Sequence, residues 1–147
     1  MNPDFRELLL AFNAACVRYL IVGAHALAVY GYVRATKDLD VWIEPSEINA
    51  ENVITALRSF GAPVSDLSVN DLTSTGTVFQ IGIPPLRIDL LTSIDGVDFG
   101  EAWKDHFETT FGNVPICVIS RQHLIVNKKS AGRLQDLADV EQLEKVE

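Results

Sequence analysis

Three aspartates carry the chemistry that this sequence is equipped to do. Asp38 and Asp40 stand one residue apart in Asp38-Leu-Asp-Val-Trp-Ile43, and Asp89 lies in Arg87-Ile-Asp-Leu-Leu91. Alternate residues of a strand share a face, with Cα atoms about 7 Å apart, so Asp38 and Asp40 can converge on one divalent cation or on two adjacent ones. Ile88 and Leu90 turn to the core and leave Asp89 facing the other way, where a neighbouring strand would deliver it as a third ligand. Oxygen donors of this kind suit magnesium or manganese better than zinc. Two such cations roughly 4 Å apart clamp the attacking and leaving oxygens of an in-line phosphoryl displacement.

An Asp-x-Asp pair alone says little in a chain with eleven aspartates, so the elements that position it must supply the specificity. Phe5, Leu8, Leu9, Phe12 and Ala15 recur at helical spacing behind Asn2-Pro3 and predict a helix over 3–18. Tyr19-Leu-Ile-Val22 reads as a strand buried on both faces and stopped by Gly23; an alanine-rich helix over 24–30 follows, ended by Gly31. The alternation in 38–43 places Leu39, Val41 and Ile43 on one face and the aspartates with Trp42 on the other. Ser46 caps a helix that runs through Phe60 to Gly61. Residues 65–75 predict no element.

Strands over 77–83 and 87–91 flank a tight Pro84-Pro85 connection, a helix spans 99–107, and a strand spans 114–119. Ser120 caps a helix to about residue 130 that Gly132 breaks, and Leu134, Leu137 and Val140 mark a last amphipathic helix to Lys145. With 48% hydrophobic residues in 147 and no repeat or linker, the pattern predicts one domain over 1–147.

The net charge of −8 argues against non-specific coating of nucleic acid, which needs a basic surface. Its distribution is uneven. Between Glu108 and Asp136 there is no acidic residue, while Arg121, Lys128, Lys129 and Arg133 all fall there, a segment suited to meeting an anion. Asp136 and Asp139, three apart on one helical face, offer those bases a structural anchor instead. Cys16 and Cys117 form no ligand pattern and read as small core residues, and His25, His106 and His123 are scattered without ligand or triad spacing. No apolar run approaches the roughly 18 residues of a membrane span, which predicts a soluble, cytoplasmic protein.

The stretch Tyr19-Leu-Ile-Val-Gly-Ala-His-Ala-Leu-Ala-Val-Tyr-Gly-Tyr-Val-Arg-Ala-Thr-Lys-Asp-Leu-Asp-Val-Trp-Ile43 resembles the nucleotidyltransferase (DNA polymerase beta-like) superfamily. Within it the chain is similar to small bacterial proteins grouped with the AbiEii/AbiGii toxin family. The resemblance continues at Arg87-Ile-Asp-Leu-Leu-Thr92 and at Asn127-Lys-Lys-Ser-Ala-Gly-Arg-Leu-Gln-Asp-Leu-Ala-Asp139. It implies an α/β (α+β) nucleotidyltransferase fold, a small mixed sheet flanked by helices, with two helices at the C-terminal end.

The resemblance also implies transfer of a nucleoside monophosphate from a nucleoside triphosphate to a hydroxyl acceptor, RNA such as tRNA or a protein. Asp38, Asp40 and Asp89 would be the catalytic and metal-binding residues for Mg2+ or Mn2+. Gly23 and Ala24 would cradle phosphates through backbone amides, since Gly23 permits close approach and a helix opens there. The family usually has Gly-Gly or Gly-Ser at this turn, so Ala24 removes a hydroxyl contact. Arg34 and Lys37 lie just before the carboxylate strand, placed to meet phosphate oxygens or to pair with Asp38 and Asp40; Lys128, Lys129 and Arg133 are placed to contact nucleotide or a polyanionic acceptor. The alternative is a weak or inactive member that binds nucleotide or a partner protein, as one half of a toxin-antitoxin pair.

Overall fold

The computed structural model describes residues 2–33, 38–82 and 87–145. Arg34 and Lys37, and the Pro84-Pro85 connection, lie outside the described residues.

Helix α1 (Pro3–Ala14) opens as its sequence dictates: the Asn2 side chain accepts from the Asp4 amide at 2.7 Å, and proline occupies the first turn. It stops four residues short of the predicted end. Cys16 takes a left-handed conformation (φ 58°), and Val17 and Cys16 donate their amides to the Phe12 and Asn13 carbonyls. That is a Schellman cap built without glycine, which is why composition hides it.

Strand β1 (Tyr19–Val22) follows, then α2 (Gly23–Val29), β2 (Asp38–Ile43) and α3 (Glu47–Phe60). Ser46 accepts from the Asn49 amide and Gly61 closes α3 at φ 96°, as its sequence predicts. The buried Asn49 side chain accepts from the Arg18 amide and donates to the Arg18 and Glu44 carbonyls, tying the entry of β1 to the exit of β2. The stretch 65–75 is not featureless. A reciprocal capping box between Ser68 and Asp71 starts a short helix α4 (Val69–Thr73).

The remaining elements are β3 (Val78–Ile81), β4 (Arg87–Leu91), α5 (Phe99–Lys104), β5 (Phe107–Phe111), β6 (Val114–Val118), α6 (Arg121–Ala131) and α7 (Leu134–Lys145). The helix expected over 99–107 ends at Lys104, and Phe107-Glu-Thr-Thr-Phe111 is a strand. It turns through Gly112 and Asn113, both at positive φ, to pair with β6. Positive φ at both centres is the twist a two-residue hairpin needs.

The sheet has six strands in the order β3-β4-β2-β1-β6-β5. It is mixed: β1 runs parallel to β6 and antiparallel to β2, β2 runs parallel to β4, and β3 and β5 close the edges antiparallel. All four residues of β1 are buried, as a central strand covered on both faces requires. Helices α1 and α3 pack on each other and contribute Phe5, Leu8, Leu9, Phe12, Val53 and Leu57 to the core. Cysteines depart from expectation, since Cys16 is exposed and Cys117 only half-buried. Among the described residues no helix is long and apolar enough to cross a membrane.

Candidate active site

Strands β2 and β4 pair in parallel with Asp38 opposite Arg87 and Asp40 opposite Asp89. Register and alternation together put four charged side chains on one face of the sheet, in a square of three carboxylates and one guanidinium. Leu39, Val41, Ile88 and Leu90 fill the opposite, buried face. Arg87 bridges two corners: its Nε donates to Asp89 Oδ1 at 3.1 Å and its Nη2 to Asp38 Oδ2 at 3.2 Å. Asp89 is nearly buried, while Asp38 is 40% exposed along its side chain.

Asp40 feels the crowding. Burial pushes its carboxyl up to about 6, and the negative charges of Asp89 and Asp38 add to this; Arg87 and Lys128 pull it back only in part. Like charges gathered at one site with one of them driven toward the neutral acid are what a cation would relieve.

Gly23 faces the Asp40 carboxylate. Its φ is +67°, and a methyl group built on it would stand 2.3 Å from Asp40 Oδ2. The glycine therefore serves two ends, the left-handed turn from β1 into α2 and the close approach of Asp40 to the backbone. Ala24 follows directly in α2. Behind the site, His25 packs edge-on against Phe5, with its Nδ1 buried. Burial lowers the affinity of this ring for a second proton, against the pull of Asp38.

A cleft of about 250 Å³ opens beside Gly23 and Asp40, and Ser93, Asn127, Lys128 and Arg133 line it as well. Of the three C-terminal bases, Lys128 and Arg133 thus border the cleft. Lys129 does not line it, and pairs with Glu144 at 3.1 Å on the exposed side of the helix pair. Lys128 is itself buried, with Nζ 3.0 Å from Asp139 and 3.5 Å from Asp136. The anchoring role thus falls on Lys128, which pins α6 to α7 and still acts electrostatically on Asp40. Arg133 is exposed at the mouth and donates to Asp136 at 2.7 Å. Burial would raise the Asp136 carboxyl, but the Arg133 hydrogen bond and the charges of Lys128 and Arg133 outweigh it and hold the group below the usual carboxylate range.

The donor set fits a hard divalent cation. It offers only carboxylate oxygens, and a guanidinium already stands in as the positive charge between Asp38 and Asp89. Arg87 is the residue that sequence reasoning left without a role. Its signal was present, since Arg87 precedes Asp89 by two on one strand face, as Asp38 precedes Asp40. Ser93 and Asn127 carried no comparable signal.

Two solved structures share this arrangement of elements. The lincosamide antibiotic adenylyltransferase LnuA, solved with lincomycin bound, matches with a TM-score of 0.62 at 15% sequence identity, over 100% of this chain and 98% of its own. A protein of Thermotoga maritima assigned as a nucleotidyltransferase matches with a TM-score of 0.62 at 16% identity, over 99% of this chain and 93% of its own. No protein-family model matches the sequence, and no curated protein matches it. At such identities the likeness is one of backbone architecture, and it shows that this chain has the nucleotidyltransferase fold.

Proposed function

We propose that the protein transfers a nucleoside monophosphate from a nucleoside triphosphate to a hydroxyl acceptor and releases pyrophosphate. The observation that carries this reading is the gathering of Asp38, Asp40 and Asp89 on one sheet face, with Asp40 against Gly23 at the edge of a cleft that Lys128 and Arg133 border. Asp38, Asp40 and Asp89 would hold Mg2+ or Mn2+. The cation, when bound, neutralises phosphate charge and makes the acceptor hydroxyl more acidic.

The chain's own residues do the rest. The Gly23-Ala24 backbone approaches the phosphates without a side chain in the way. Lys128 and Arg133 offer positive charge to the departing pyrophosphate. Asp89 accepts the acceptor's proton as its oxygen attacks the α-phosphorus, and the α–β bridging bond breaks toward pyrophosphate. RNA such as tRNA, or a protein, is the acceptor that the AbiEii-like resemblance suggests; the lincosamide named for LnuA adds small hydroxylated molecules to those worth testing.

A second reading, a weak or inactive member that binds nucleotide or a partner protein in a toxin-antitoxin pair, draws support from Ala24 and from the neutralising position of Arg87. Incubation with each labelled triphosphate, manganese and total RNA, protein or small-molecule acceptors separates the readings. Transfer labels an acceptor and loses that label in the Asp38→Asn, Asp40→Asn double variant. Nucleotide retention without label in any acceptor favours the second reading.

A further inference from the structure

We propose that His106, Glu108 and Cys117 form a second metal site, for a zinc-class cation, at the outer edge of the sheet. The site comes from strand pairing. Glu108 and Cys117 are direct partners across the β5–β6 hairpin, and directly opposed residues share a face. His106 precedes Glu108 by two and joins that face from the turn after α5. One ligand atom from each, imidazole nitrogen, carboxylate oxygen and sulfur, lies within 4.8 Å of the other two. His106 Nε2 and Glu108 Oε2 are 2.9 Å apart.

The histidine is already set for coordination. Its Nδ1 lies 2.5 Å from the Trp103 carbonyl, a bond only an N–H can make, which directs Nε2 at the other two ligands. The Trp103 ring stacks on the imidazole at 4.1 Å and fixes its plane. A backbone carbonyl behind one ring nitrogen and metal before the other is the usual outer arrangement of a zinc-bound histidine. Bonds of about 2.0 to 2.3 Å at tetrahedral angles separate ligand atoms by about 3.3 to 3.8 Å, so the longest separation has to contract by no more than about 1.5 Å while the His106–Glu108 pair opens by a few tenths of an ångström.

The donor chemistry chooses the ion. Sulfur with imidazole and one carboxylate selects zinc or cobalt over magnesium, the reverse of the oxygen-only group at Asp38, Asp40 and Asp89. Binding exchanges the Cys117 S–H proton, and any proton shared by His106 Nε2 and Glu108 Oε2, for the cation and releases them to solvent. Glu108 is 74% exposed, so a fourth position stays open to water or an added ligand. The cation would tie the turn after α5 to the β5–β6 hairpin at the edge of the sheet.

Cobalt(II) added to the metal-stripped full chain tests this through the near-ultraviolet thiolate-to-cobalt charge-transfer band. The band is expected in the wild type, displaced by zinc, and absent in Cys117→Ser. Glu108→Gln, at an exposed position, keeps the fold and weakens zinc binding by roughly tenfold or more. Cys16→Ser and the Asp38→Asn, Asp40→Asn double variant keep the band, because neither touches this group; β5 lies three strands from β2. A wild-type spectrum without the band leaves a surface His106–Glu108 pair only and overturns the proposal, as does a band that survives Cys117→Ser.

Discussion

Asp40 rests against the α-carbon of Gly23 so closely that a methyl group there would stand 3.2 Å from Asp40 Cγ and closer still to its oxygen. Gly23→Ala therefore meets two penalties, a left-handed backbone that costs an L-residue about 1 to 2 kcal/mol and a displaced carboxylate. The expected outcome is a melting temperature lower by several degrees and a loss of nucleotide transfer larger than the stability loss explains. Ala24→Ser in the next position should leave melting unchanged within a degree or two, and should raise transfer by restoring a hydroxyl to the turn. Calorimetry and labelled transfer on both variants check this.

In the metal-free protein Asp40 binds its proton up to about pH 6, against 3.8 for its ordinary value. A carboxyl whose affinity rises on folding adds stability fully present below about pH 4 and lost as pH climbs through 6. Asp40→Asn removes that dependence. The variant's stability relative to wild type in chelator should increase across pH 4 to 6, by an amount on the order of 3 kcal/mol at most. Chemical denaturation at a series of pH values reads the difference directly; a flat difference would mean that Asp40 ionises freely in the fold.

Arg87 is the positive charge shared by Asp38 and Asp89. Arg87→Met should lower stability in chelator by about 2 kcal/mol near pH 7, discounted from a fully buried pair because the guanidinium is 29% exposed. Manganese should then stabilise the variant more than the wild type, since it replaces a charge that the wild type already has. Melting curves with and without manganese test this, and equal shifts in both proteins would separate Arg87 from the metal site.

The neighbouring lysines Lys128 and Lys129 should behave oppositely. Lys128→Met removes the buried cation that Asp136 and Asp139 share, while Asp136 keeps Arg133 and Asp139 keeps Gln135, so the cost should fall at the lower end of about 3 to 5 kcal/mol. Lys129→Ala breaks one exposed pair with Glu144 and should change stability by less than about 1 kcal/mol. Paired denaturation curves check both, and transfer by the Lys129 variant should match wild type because it does not line the cleft.

What the sequence by itself determined is local. Serine before an apolar period and glycine after it mark α3 and α6 because caps satisfy amides and carbonyls within a few residues. Strand alternation put Asp38 with Asp40, and Asp89 away from Ile88, because side chains of a strand have a period of two. The Phe107–Phe111 strand was missed, because the helical spacing of the preceding residues ran on into it; the Gly112-Asn113 turn was its one local signal. The end of α1 was not legible either, since Cys16 takes a conformation its side chain does not advertise.

Tertiary structure alone decided which residues meet. The β2–β4 register aligned Asp40 with Asp89 and set Arg87 between Asp38 and Asp89; a slip of one residue would have turned Asp89 into the core. Hairpin pairing brought Cys117 to Glu108 and His106, which no spacing in the chain foretells. Lys128 and Lys129 are adjacent in sequence, yet one reaches the cleft and the other the surface, because successive helical residues point about 100° apart and the docking of α7 buries only one of those directions.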